Sequence, residues 1–222
     1  MWQVPQRKLS RANPTGTART RRVLKIPELR DAFYHNFASS TMLLARLSAE
    51  GSPVFAYGAC SGAMYSGLVL HNKALGTRVS ALLQLLVAVS YLFSAPVVGR
   101  QCDECAGDSA ALSRKLALGW AILFAGFGLL AADAGISSQA LGLLLLGLGE
   151  AFVLLPSYPR LTLACPHRPG LVSAFFNGAW ALGQALGPFI LALVTWEQAE
   201  MVASCCALSL AGLYAFLSVV QG

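Results

Sequence analysis

Charged side chains are scarce in this sequence: 12% of its 222 residues are Asp, Glu, Lys or Arg, about half the share found in soluble domains. So little charge could not keep a water-soluble domain of this size dispersed. Acidic residues are the scarcer kind, ten against sixteen basic ones. The sequence has neither the polar bias of a disordered chain nor the glycine period of collagen. It also lacks the cysteine density of a small secreted module: there are six cysteines, spread along the whole chain. What it has is apolar sequence. Hydrophobic residues make up 56% of the chain and the mean hydropathy is +0.60. Its 21 glycines and ten prolines fall mainly within the apolar stretches, as is common in membrane helices. The class implied is an all-α integral membrane protein.

The formal charge of +6 does not indicate nucleic-acid binding, because of where it sits. Arg7, Lys8, Arg11, Arg19, Arg21, Arg22, Lys25 and Arg30 are half of all the basic residues. They form an N-terminal arm, residues 1–31, in which Pro5, Pro14 and Gly16 argue against a folded core. Next to a membrane, such an arm sets topology and touches anionic lipid. No apolar h-region follows within 20 residues, so it does not read as a secretory signal.

Cys60, Cys165, Cys205 and Cys206 fall within or at the ends of apolar segments, where cysteine behaves as a small hydrophobe. Cys102 and Cys105 form a lone C-x-x-C in a polar stretch. A structural zinc needs four ligands, and His71 and His167 are not spaced to complete the set. No metal and no cofactor is expected.

A bilayer core is crossed by about 20 mostly apolar residues in a helix. Charge-free windows give six spans: Gly51–Asn72, Val79–Gly99, Leu116–Ala132, Gln139–Tyr158, Pro169–Trp196 and Met201–Gly222. The fourth is interrupted by Glu150, and the third extends over Asp133. Residues 32–50 are expected to form an interfacial lead-in rather than a span, because His35, Asn36 and Arg46 interrupt them. Domain organisation is thus an arm (1–31), a lead-in (32–50) and a six-helix bundle (51–222).

With the arm in the cytoplasm, the cytoplasmic loops are Arg100–Lys115 and Arg160–Arg168. Thirteen basic residues then lie inside, and only Lys73 and Arg78 outside, in accord with the positive-inside rule. Both termini are expected to be cytoplasmic. At 100° per residue, Ser80, Gln84, Ala88, Tyr91 and Ala95 share one face of the second span. Ser173, Asn177, Ala181, Gln184 and Pro188 share one face of the fifth, with Trp180 at its edge. Unsatisfied amides in lipid cost several kcal/mol, so both stripes are expected to face an interior.

The run from Gly170 to Pro188 (GLVSAFFNGAWALGQALGP) resembles the eleventh transmembrane helix of major facilitator superfamily transporters. The likeness is strongest to the vesicular amine transporter branch, especially its polyamine-transporting member. Leu154-Leu-Pro-Ser-Tyr-Pro159 is similar to the end of that branch's tenth helix, and Ser90–Gly99 to its eighth. Leu24-Lys-Ile-Pro27 is similar to the end of its central linker. The resemblance covers residues 24–222 in the family's order. It implies the C-terminal half of a twelve-helix carrier, helices seven to twelve, with the N-terminal half absent, as in a truncated product, a fragment gene or an incomplete gene model. Gly99-Arg-Gln-Cys-Asp103 resembles the superfamily's gating-loop motif, with Glu104 and Cys105 in place of its basic partner. The stretch Ala32–Pro53 departs from the pattern.

Glu150 is the sharpest candidate. A carboxylate in mid-span costs at least ~2.5 kcal/mol on insertion scales, so it pairs with a cation or takes up a proton. The resemblance implies an acidic residue close to this place in amine carriers; the alternative is a neutral glutamic acid hydrogen-bonded to a neighbouring helix. Gln84, Tyr91, Asn177, Trp180 and Gln184 are candidates to line a cavity with it, where aromatic faces suit an organic cation. Each alone is equally well an interhelical hydrogen bond or a packed ring. Gly183 and Gly187, a G-x-x-x-G step before Pro188, suit close helix packing. No nucleophile–base pair or phosphate loop is found, so no enzyme is expected. The function expected from the resemblance is proton-coupled antiport of organic cations such as polyamines or monoamines, in a vesicular or other endomembrane. The alternative is a non-transporting membrane protein that partners a full-length carrier. Expected partners are organic cations, protons, the lipid bilayer and an N-terminal half or another carrier chain, with no nucleic acid.

Overall fold

The structure, a computed structural model, describes residues 26–71, 76–132 and 134–222, with side chains described from Thr41 onward except at Val69, His71 and Thr77. Contacts divide the chain into Met1–Ser40 and Thr41–Gly222; the second unit is the bundle. Six helices are described: α1 (Ile26–His71), α2 (Thr77–Glu104), α3 (Ser109–Ala131), α4 (Ile136–Ala164), α5 (Pro169–Leu193) and α6 (Trp196–Val220). Five of them, α2 to α6, are long and apolar enough to cross a membrane. The described residues are therefore all-helical apart from short connections, with the spans of a multi-pass membrane protein. Most of the basic arm, Asn72, Lys73 and Asp133 lie outside the described residues.

Local chemistry sets the helix ends. Gly76 and Gly135 precede α2 and α4 with φ of 82° and 97°, a left-handed conformation that glycine adopts without a Cβ clash. Asp108 caps α3 by accepting from the Ala111 N–H at 2.9 Å. Thr195 and Gln198 exchange side-chain and backbone bonds in a capping box that starts α6.

Glycines decide which helices meet. Helix α3 packs between α4 and α6 and buries Leu112, Leu116, Trp120, Leu123, Phe127 and Leu130, one stripe at steps of three and four residues. Against α4, a methyl group added at Gly119 would lie 2.7 Å from the Phe152 backbone, and one added at Gly142 would lie 3.0 Å from the Gly126 carbonyl. Helix α2 meets α4 where Gly147 packs on the Val87 backbone and the Ser90 hydroxyl donates to the Leu144 carbonyl at 2.7 Å. Helix α1 meets α5 through Gly58 and Gly62, set against Gly183 and Gly187. A methyl at Gly58 would lie 2.7 Å from the Trp180 carbonyl, and one at Gly62 2.6 Å from that of Gln184.

These contacts follow a repeated plan. Gly51 lies by Phe175 and Gly67 by Leu191, so α1 and α5 run parallel. Helices α2 and α4 also run parallel, since Val87 meets Gly147 while Val98 and Cys102 cluster with Ala151. Exchanging α1–α2–α3 for α4–α5–α6 converts one pairing into the other. The same exchange relates α3–α4 to α6–α1, where Gly67 faces the Trp196 ring. Leu47, near the start of the packed part of α1, clusters with Leu161 and Ala164 at the end of α4, so the two three-helix units point in opposite directions.

Several expected boundaries shift. Helix α2 continues through Glu104 and α3 begins at Ser109, so the polar stretch expected as a loop over Arg100–Lys115 is mostly helix. Arg160, expected in a cytoplasmic loop, lies inside α4 and is 5% exposed. Its Nε donates to Glu50 Oε2 at 2.8 Å and its Nη2 to Glu50 Oε1 at 3.2 Å. Its Nη1 donates to the Ser113 hydroxyl, and its guanidinium lies 5.3 Å from the Tyr214 ring centroid. Ser113 also donates to Gln221 Oε1 at 3.0 Å. One arginine thus joins α1, α3, α4 and α6. Residues 41–50, expected within an interfacial lead-in, are continuous with α1 and supply Leu47 to the core and Glu50 to this pair. Glu200, which falls between the fifth and sixth expected spans, is 2% exposed within α6. Charge-free windows miss such residues because partnered or snorkelling charges extend helices beyond their apolar centres.

Two outcomes are expected. Gly62→Leu and Gly183→Leu should each lower thermal stability in detergent sharply, by about 1–3 kcal/mol or more of overpacking, whereas Gly178→Ala, where no atom lies within 4 Å of the added methyl, should not; size-exclusion profiles after a heating series read the difference. Arg160→Met should destabilise by on the order of 3 kcal/mol through the stranded Glu50, and Arg160→Met with Glu50→Leu should recover most of that in the same assay.

Candidate functional site

Helix α4 holds Glu150 in the middle of an apolar span, half-buried on the side facing α1 and α2. Tyr57 of α1, 1% exposed, lies beside its carboxylate. Tyr65 from α1 and Tyr91 from α2 lie close enough to feel the same carboxylate electrostatically. Three phenols from two helices therefore surround one acid from a third. The Gln84 side chain of α2 donates from Nε2 to the Tyr65 carbonyl at 3.2 Å, which fixes α2 beside the tyrosines.

Polar side chains continue from this acid across the bundle. Ser61, one turn further along α1, donates its hydroxyl to the Gly58 carbonyl at 3.2 Å. The Ser61 hydroxyl accepts from Gln184 Nε2 of α5 at 2.6 Å. The Gln184–Ser61 bond joins α5 to α1, one turn from Tyr57. It crosses the α1–α5 seam at the glycines, where the backbones are near enough for short side chains to meet.

Of the residues expected from sequence, Glu150, Tyr91, Gln84 and Gln184 are thus gathered around α1. Asn177 and Trp180 are not. The Asn177 Nδ2 donates to the Ser173 carbonyl of its own helix at 2.9 Å, and both residues are exposed. The expected inward stripe of α5 is corrected accordingly: Val172, Gly183 and Gly187 are its buried residues, because glycines allow the closest backbone approach. Pro188 lies next to that edge, exposed. Gly99 and Asp103, expected in a gating loop, are on the last turns of α2 and border a cavity of about 380 Å³ that also reaches Tyr91.

Tyr57, Tyr65 and Ser61 were not singled out from sequence. Their signal was available: a tyrosine inside an apolar span needs a partner for its hydroxyl, and α1 holds two of them eight residues apart. Among the described residues no three of His, Cys, Asp or Glu converge as a metal site; the Cys105 thiol donates to the Gln101 carbonyl at 3.0 Å instead. A carboxylate ringed by phenols in a span can hold an organic ammonium by charge and cation–π attraction, or exchange a proton.

No family model matches this chain, and neither the curated proteins nor the solved structures searched include a match.

The proximity of Tyr57 to Glu150 has a measurable signature. A double-mutant cycle of Tyr57→Phe and Glu150→Gln, read by unfolding in mixed micelles, should give a coupling of about 0.6 kcal/mol, with a ceiling of about 1.7 kcal/mol. A coupling of zero would mean that the two side chains act independently.

Proposed function

We propose that this chain is the C-terminal bundle of a secondary active transporter of the major facilitator type, one that exchanges protons for organic cations such as polyamines or monoamines. The observation that carries the proposal is Glu150, a carboxylate in mid-span with Tyr57, Tyr65 and Tyr91 around it. Desolvation makes such an acid avid for a positive partner, and a proton or an alkylammonium is interchangeable in that role. Phenol faces favour the organic ion over a hydrated metal ion. The exchangeable packing of α1–α2–α3 and α4–α5–α6, with opposite directions, supports it too. Inverted three-helix repeats are the plan of each half of these carriers, with substrate held near mid-membrane.

In this mechanism Glu150 binds the cation in one orientation of the carrier and a proton in the other. Tyr57 packs beside the carboxylate, and the Gln184–Ser61 bond holds α1 against α5 one turn away. A second six-helix bundle completes the cavity over the faces of α1, α2, α4 and α5. The membrane is an endomembrane, with the basic arm on the cytoplasmic side. One observation favours a second role, as a non-transporting partner of a full-length carrier: Asn177 and Trp180 are exposed on α5, and a polar amide is better covered by protein than by lipid.

The test is uptake of spermidine and serotonin into proteoliposomes carrying an outward proton gradient, with this chain alone and together with a homologous N-terminal bundle. Glu150→Gln should leave insertion and abundance unchanged while abolishing gradient-driven uptake, because the amide keeps the shape but cycles no proton. Normal uptake with an unchanged pH profile in Glu150→Gln would remove Glu150 from the mechanism.

A further inference from the structure

The cavity beside the end of α2 has a chemistry of its own. Its volume is about 380 Å³, within the range of small-molecule sites. Tyr91 and Asp103 of α2, Leu154, Tyr158 and Pro159 of α4, and Phe176 of α5 line it. The Tyr158 and Phe176 rings meet edge to face at 5.7 Å with an interplanar angle of 77°. Tyr158 is 41% exposed, so part of its ring is free to take a ligand. Tyr91 belongs both to this wall and to the surroundings of Glu150.

Asp103 is the acid at the mouth, and nearby cations are engaged elsewhere. Arg100 pairs with Glu104 at 3.2 Å, and Lys115 donates to Gln101 Oε1 at 3.0 Å. Arg114 and Lys115 line a different cleft, with Gln101 and Glu104. Among the described residues no side chain donates a hydrogen bond to the Asp103 carboxylate, and the group is exposed. A free carboxylate at the rim of an aromatic pocket is a receptor for an ammonium group on a carbon stem: the acid takes the charge, and the ring faces take the stem and its polarised methylenes.

We propose that this cavity is a vestibular site for a primary alkylammonium cation, with Asp103 binding the ammonium group and Tyr158, Phe176 and Tyr91 its stem. The site rests on the organic-cation role proposed above. It concentrates the cation at the α2 end of the bundle and hands it along Tyr91 toward Glu150. Leu154 and Pro159 keep the wall apolar, so an inorganic cation, which gains nothing from the rings and must shed water, is passed over.

The probe is a diazirine-bearing 1,4-diaminobutane, photolysed on the full chain in phosphatidylcholine nanodiscs, with labelled residues mapped by mass spectrometry and spermidine as competitor. Label is expected within residues 154–159 and at Phe176, displaced by spermidine. Asp103→Asn should weaken spermidine competition there by about fivefold or more, with recovery in Asp103→Glu. Phe176→Leu should weaken it with the protein still monodisperse on size exclusion. Glu150→Gln should leave this label in place. Label confined to peptides around Glu150, or competition unchanged in both Asp103→Asn and Phe176→Leu, would overturn the vestibular site and leave the cation role standing. Asp103-dependent label together with normal gradient-driven uptake in Glu150→Gln would keep the vestibule and remove Glu150 from coupling. No spermidine-displaceable label anywhere would overturn the cation role, and the vestibule with it.

Discussion

Helices α1 and α5 hydrogen-bond side chain to side chain at Ser61 and Gln184 because Gly58, Gly62, Gly183 and Gly187 let their backbones meet. Between apolar helices in lipid there is little hydrophobic force, so close packing and interhelical hydrogen bonds hold the association. At this seam the two act together. Any side chain at the glycines would separate the backbones and pull Gln184 away from Ser61. Tyr57, one turn before Ser61 on α1, would move with that helix relative to Glu150. The placement of the buried acid on α4 therefore depends on the absence of side chains on two other helices.

The Arg160 cluster solves the same problem at the end of the bundle. A guanidinium buried without partners would be prohibitive. Here Glu50, Ser113 and the Tyr214 face satisfy it, and four helices are joined in doing so. Charge is thus sorted by depth. Arg160 and Glu50 neutralise each other inside, Arg100 and Glu104 pair on the exposed end of α2, and of the described acids outside both pairs Glu200 is buried in α6 and Asp108 caps α3, while Glu150 and Asp103 lie on α4 and α2. Each of these two lies beside tyrosines.

Much of the architecture was legible in the chain. Scarce charge and long apolar windows imply membrane helices because bilayer thickness fixes their length, and five such helices are present. The ends were less legible. Windows that stop at the first charge placed Arg160 and Glu200 in loops, whereas both lie inside helices. Glu150 stood out because a lone acid in an apolar span has no bland local explanation. Asn177 and Trp180 stood out as a polar stripe and its aromatic edge, yet Asn177 bonds within its own helix and both are exposed.

By itself the sequence determined the helical class, the mid-span position of Glu150 and the glycine steps, since each depends on residue type and local spacing alone. Tertiary structure decided the partners. That Tyr57 reaches Glu150 across 93 residues of chain, or Glu50 reaches Arg160 across 110, follows from which helices lie side by side. So does the junction of Tyr91, Tyr158, Phe176 and Asp103 in one cavity. Helical periodicity reports which residues share a face, whereas the helix opposite that face is chosen by backbone approach over the whole bundle.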